Sequence, residues 1–118
     1  MKYVVAVIQP FKLSEVRVAL LDIPEFPGMT VTRVEGFGQG RARAKASGQD
    51  PITDFVPKIK VECAVRAAMA PAVTEAILRH AHTGNKGDGK IFVFELPCAL
   101  RIRTGEHDDE CLWSPTGR

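Results

Sequence analysis

The stretch Phe55-Val56-Pro57-Lys58-Ile59-Lys60-Val61-Glu62-Cys63-Ala64-Val65-Arg66 alternates with a period of two. Successive side chains of a strand point to opposite sides, so Ile59, Val61, Cys63 and Val65 share one face. Lys58, Lys60 and Glu62 share the other. A strand of this kind turns one face to a core and one polar face outward, as in a sheet covered on a single side. The remaining segments must supply the cover and the neighbouring strands.

Downstream, Ala70-Pro71 opens an amphipathic helix whose buried stripe is Val73, Ala76, Ile77 and His80. Thr83-Gly84-Asn85-Lys86-Gly87-Asp88-Gly89-Lys90 follows as a glycine-rich turn, and Lys90 to Phe94 reads as a strand. Pro97 breaks it, and Leu100-Arg101-Ile102-Arg103 reads as a short extended piece. The tail from Gly105 to Arg118 is polar and aperiodic, and is expected to be loosely ordered unless it docks. Upstream, Tyr3-Val4-Val5-Ala6-Val7-Ile8 is apolar on both faces, which predicts a central buried strand. Val16, Ala19, Leu20 and Ile23 then follow helical spacing, with a cap near Leu13 or Ser14, and Pro24 and Pro27-Gly28 stop the helix. Met29 to Phe37 reads as a strand carrying Val31, Val34 and Phe37 on its apolar positions.

The segment from Gly38 to Thr53 has almost no large apolar side chain, so it buries too little to offset its ordering entropy. It reads as a long, mobile, basic loop with Arg41, Arg43 and Lys45, and loops of this length are functional or disordered. The order is therefore β-α-β-β-α-β, an α+β ferredoxin-like fold: an antiparallel sheet with two helices on one face. The uncovered face mixes apolar and charged residues, which predicts packing against further copies of the chain.

The chain has 118 residues, enough for one domain with its own core. A formal charge of +2 argues against a general nucleic-acid binder. Cys63, Cys98 and Cys111 have no CxxC spacing, and there is neither a signal-peptide pattern nor a membrane-length apolar run. Cytoplasm is the expected compartment.

Glycines at 84, 87 and 89 let the backbone approach a ligand, and Lys86 and Lys90 add positive charge, so the loop suits an anion. Its bland reading is a helix stop and turn. On an extended segment Arg101 and Arg103 would point the same way and join Lys90 as a di- or triphosphate clamp; the bland reading is a solvated face. The loop is not a Walker A motif, since Gly-Lys-Ser/Thr is missing and no strand precedes it. Glu35-Gly36-Phe37-Gly38 echoes an RNA-recognition strand but lacks the further stacking aromatics. His107, Asp108, Asp109, Glu110 and Cys111 lack a zinc spacing and read as a solvated acidic tail, so no metal site is assigned. His80 and His82 are two apart on a helix end and do not face one another. No catalytic arrangement emerges; a slow nucleotide hydrolase using the same clamp, or a pure interaction module, are the rival readings.

The combined pieces resemble the PII family of nitrogen-signalling proteins from Lys2 to Glu106. They are Pro10-Phe11-Lys12-Leu13, Gly28-Met29-Thr30-Val31-Thr32, Gly36-Phe37-Gly38, Asp54 to Glu62, the Thr83 to Val93 stretch, and Arg101-Ile102-Arg103-Thr104-Gly105-Glu106. The resemblance implies a domain over residues 1–106 with a T-loop at 39–53, a divergent tail at 107–118, and a homotrimer with ATP, ADP or AMP between subunits. Gly28, Thr30, Glu62 and Ala64 would surround the adenosine; Gly87, Gly89, Lys90, Arg101 and Arg103 would hold phosphates, some from across the interface. Val7, Gly36, Phe37, Gly38, Gln39 and Asp88 complete the implied nucleotide set. A small anion, 2-oxoglutarate or bicarbonate, would sit near Gln39, Gly40, Arg41 and Lys58, with Mg²⁺ as a further ligand. The T-loop would reach a membrane transporter or a cytosolic enzyme. This chain departs from the family in lacking the loop tyrosine that is uridylylated in many members. It also has Gln39-Gly40-Arg41 where the usual order is arginine then glutamine. These departures favour a variant linked to carbon or bicarbonate over the standard ammonium sensor or a metal-transport-associated form.

Overall fold

A computed structural model of the chain describes residues 1–38 and 55–115. Four strands, β1 (Lys2–Ile8), β2 (Thr30–Gly36), β3 (Val56–Val65) and β4 (Gly89–Glu95), form one sheet in the order β2-β3-β1-β4. Every neighbouring pair is antiparallel. Helices α1 (Leu13–Leu21) and α2 (Ala70–Ala81) connect β1 to β2 and β3 to β4. This is the split β-α-β topology expected from the sequence.

The alternation in β3 works as read: Ile59, Val61, Cys63 and Val65 are buried while Lys58, Lys60 and Glu62 are not. They join Val4, Ala6 and Ile8 of β1, Val16 and Leu20 of α1, and Ala70, Val73, Ile77 and Ala81 of α2 in a single core. Each of the larger side chains contributes about 1.5–3 kcal/mol by leaving water.

Three expectations need correction. β1 is central but not buried on both faces; Tyr3, Val5 and Val7 are only half-covered, because both helices lie on the other side. The last core position of α2 is Ala81 rather than His80, which is half-buried: position 81 continues the line 70, 73, 77 toward the sheet. A 3₁₀ turn at Pro10–Lys12 leads into α1, whose start at Leu13 has no side-chain cap.

The C-terminal region also differs from expectation. Leu100–Arg103 is not an extended piece: Leu100 bridges His107, and the Gly105 N–H donates to the Arg101 carbonyl at 2.7 Å, closing a turn. Gly105, at φ +75°, permits that closure. The tail then docks. Asp109–Leu112 forms a helical turn, α3, that lies against β3, and Cys111, Leu112 and Trp113 are half-buried.

Candidate functional site at the glycine-loop end of the sheet

The register brings the end of β1, the start of β3, the end of β2 and the start of β4 to one edge of the sheet. Gly36, Phe37, Gly38, Lys58 and the glycine loop therefore share this end. Gly89 must be glycine: it sits at φ +104°, and a Cβ there would lie 1.7 Å from the Val7 carbonyl oxygen. Gly87, at φ +93°, is approached by Gln9 Nε2 and Lys58 Nζ, 3.0 and 3.3 Å from where its Cβ would stand. Lys58 Nζ donates to the Gly87 carbonyl at 2.7 Å.

Asp88 organises the loop. Its carboxylate accepts the N–H groups of Thr83 at 2.7 Å and Gly84 at 2.9 Å, together with the Thr83 hydroxyl. The Thr83 hydroxyl in turn accepts the Asn85 N–H at 3.1 Å. The Thr83 hydrogen bonds lead in holding the Asp88 carboxyl down to a pKa of about 2. Asp88 thus fills the first half of the turn with an internal anion. The N–H groups of Lys86 and Gly87 take no part in that network.

On the uncovered face, two rows cross the sheet: Thr32, Lys60, Val7 and Lys90, then Thr30, Glu62, Val5 and Phe92. Lys60 Nζ lies 3.7 Å from Glu62 Oε1. Tyr3 stands opposite Ala64; desolvation first, then the nearby Glu62 carboxylate, raises the phenol's pKa. Among the implied nucleotide residues, the register therefore pairs Val7 with Lys90 and Thr30 with Glu62. Gly28 precedes β2 at φ +129°.

Arg101 and Arg103 are not brought to this end. β4 leaves it at Gly89 and ends at Glu95 beside Lys2, about 20 Å away for seven residues of strand. Arg101 is held by Glu106 at 3.0 Å and by the Cys111 carbonyl at 2.9 Å. Glu106 is held below the usual carboxylate range by the Thr104 hydroxyl, then by Arg101. Arg103 is exposed. Among the described residues no hydrogen bond or ion pair joins either arginine to the glycine loop. The clamp imagined on one extended segment is not assembled within one chain.

Gln39, Gly40 and Arg41 lie outside the described residues, as does the whole 39–53 loop. At its base, the Phe37 and Phe55 rings meet edge to face with centroids 5.2 Å apart. Sequence reasoning missed Gln9, which gains meaning only when the β1 and β4 register places it beside Gly87. It also missed Glu106 as the partner of Arg101. No group of three or more His, Cys, Asp or Glu side chains among the described residues is gathered to hold a metal ion.

Fold and site together define a ferredoxin-like α+β domain with a glycine loop closing one end of the sheet. A sequence model of the family described as nitrogen regulatory protein P-II matches residues 1–106. The chain is 44% identical over 113 residues to the nitrogen regulatory protein P-II of Klebsiella oxytoca, covering 95% of this chain and 100% of that one. It is 47% identical, at the same coverage, to the protein of that name from Rhizobium etli. Among solved structures it is similar to Arabidopsis thaliana PII bound to citrate, with a TM-score of 0.77 and 33% identity over 96% of this chain and 90% of that chain. The chain belongs to the P-II nitrogen regulatory protein family. That family consists of signalling regulators of partner proteins.

Proposed function

We propose that this protein is a non-catalytic sensor in which ATP, ADP or AMP binds in clefts between subunits of a homotrimer. The observation that carries this reading is the split clamp. Gly87, Gly89, Lys90 and Lys58 occupy one end of the sheet, while Arg101 and Arg103 depart from the other. A second copy would bring such arginines to the loop without refolding either chain. The uncovered face supports self-association: Val5, Val7, Phe92 and Phe94 are apolar there, and Phe92 and Phe94 are 47% and 54% exposed. Thr30, Glu62 and Ala64 stand ready for the adenosine, and Mg²⁺ would accompany the phosphates.

The test is calorimetric titration of pure protein with ATP, ADP and AMP; absence of heat and of competition among them sinks the reading. Complementation separates a shared site from a single-chain site. Trimers refolded from a mixture of Lys90→Ala and Arg103→Ala chains should regain ATP binding that neither variant shows alone. No recovery would mean one chain builds the whole site.

The second effector would be a small anion at Lys58 and the base of the 39–53 loop, the expected set being Gln39, Gly40, Arg41 and Lys58, with Gln9 and Gly87 beside that lysine. Lys58 and Gln9 offer one ammonium and one neutral amide. One positive charge suits a monoanion such as bicarbonate better than the dianion 2-oxoglutarate, whose second carboxylate would go unpaired there unless Arg41 supplies a partner. The nitrogen regulatory names of the relatives favour the opposite reading, ammonium-transport control through ATP and 2-oxoglutarate. Titrating each anion into ATP-saturated protein decides between them, and Lys58→Met should abolish whichever response appears. The 39–53 loop would carry the signal to a cytoplasmic enzyme or a membrane transporter. No described helix is long and apolar enough to cross a membrane itself.

A further inference from the structure

The C-terminal region places two cysteines at the two ends of one closed loop, Cys98 before it and Cys111 in α3. The Ala99 N–H donates to Asp108 Oδ1 at 3.2 Å, and the Asp108 N–H donates to the Ala99 carbonyl at 2.7 Å. Leu100 bridges His107 one step further along. Cys98 immediately precedes Ala99. Cys111 stands one helical turn past Asp108, its N–H donating to the Asp108 carbonyl at 2.9 Å. Asp108 has φ +55°, and Asp109 and Glu110, at the start of α3, line one cavity with Leu96 and Pro97, next to Cys98 in the chain.

Cys98 is exposed, Cys111 half-buried, and both are free thiols. Both cysteines flank the same residue: Cys98 precedes the partner of Asp108, and Cys111 is hydrogen-bonded to Asp108 itself. Desolvation is the first cause that raises the Cys111 thiol's pKa. Cys63 is different: core burial pushes its thiol up to about 11 and removes it from this chemistry.

The same loop contains the arginines of the proposed phosphate site. Arg101 donates to the backbone carbonyl of Cys111 itself, and to Glu106. Anything that pins Cys111 therefore pins Arg101 in its present, inward-held orientation.

We propose that Cys98 and Cys111 form a reversible disulfide that locks the 98–111 loop and withholds Arg101 from nucleotide phosphates. The functional half of this statement rests on the nucleotide-site reading above. The oxidant is a small-molecule disulfide such as oxidised glutathione. The exposed Cys98 thiolate attacks one of its sulfurs, forming a mixed disulfide and expelling one glutathione thiolate. The Cys111 thiolate then attacks the Cys98 sulfur, closing the internal bond and expelling the second. Two cysteine thiols are oxidised, one glutathione disulfide is reduced to two thiols, and the protons pass to the leaving thiolates.

The full chain is equilibrated with reduced and oxidised glutathione at set ratios, trapped by alkylation and weighed intact. The expected product is monomeric in covalent mass, two hydrogens lighter, with a 98–111 link in its peptide map. Amide exchange across residues 99–108 should slow. ATP affinity should fall by about tenfold, the scale of one lost charge-assisted bond, and return with dithiothreitol. Cys111→Ser should abolish the response and Cys63→Ser should keep it. A persistent glutathione adduct at Cys98, or links only between chains, overturns the disulfide. An internal disulfide with unchanged ATP affinity overturns the lock on Arg101. If reduced protein binds no ATP, the nucleotide reading fails while mass and amide exchange still judge the disulfide by themselves.

Discussion

Gly89 combines a left-handed backbone with contact so close that a Cβ would overlap the Val7 carbonyl. Gly89→Ala should therefore cost about 3 kcal/mol or more, through strain and forced separation of β4 from β1; urea unfolding measures it. Asp88 acts by charge rather than volume. Its folded pKa of about 2 lies below its ordinary value of 3.8, so its contribution to loop stability is present above the ordinary value. That contribution should disappear as pH falls from about 4 through 2. Amide exchange at Thr83 and Gly84 should accelerate over that window in the wild type but not in Asp88→Asn. Both residues were legible as parts of a turn. That Asp88 fills the turn's own N–H groups was not, because Thr83-Gly84 and Asp88 meet only when the loop closes.

The four strands and two long helices were all visible as elements, since periods of two and 3.6 are local properties of the chain. Their faces were harder. In α2, helical spacing puts Ile77 and His80 on one stripe, but only Ile77 is fully buried. Ile77→Ala should cost about 2–5 kcal/mol and His80→Ala less than about 1 kcal/mol. Thermal unfolding of the pair tests whether the stripe runs through Ala81. Leu100–Arg103 misled because alternating arginines look extended in isolation. Gly105 and the Arg101–Glu106 contacts instead close the chain into a turn.

At the scale of the whole molecule, one sheet face is closed by α1 and α2 and the other presents Val5, Val7, Phe92 and Phe94 beside Lys60, Glu62 and Lys90. A trimer built on that face should be split by Val5→Glu, since the new carboxylate would be buried directly opposite Glu62. Sedimentation should then show a monomer with an intact circular-dichroism spectrum and lost ATP binding. A variant that stays trimeric would place the interface elsewhere.

By itself the sequence determined the elements, their order, the covered face of β3 and the glycine loop before β4. Each of these is encoded by residues a few positions apart. Only the tertiary structure decided that Lys58 and Gln9 close on Gly87, that Asp88 is an internal anion, and that Arg101 faces Glu106 and Cys111. Those contacts join segments tens of residues apart, or depend on how a turn closes. Sheet order and register set them, and no local pattern in the chain records either.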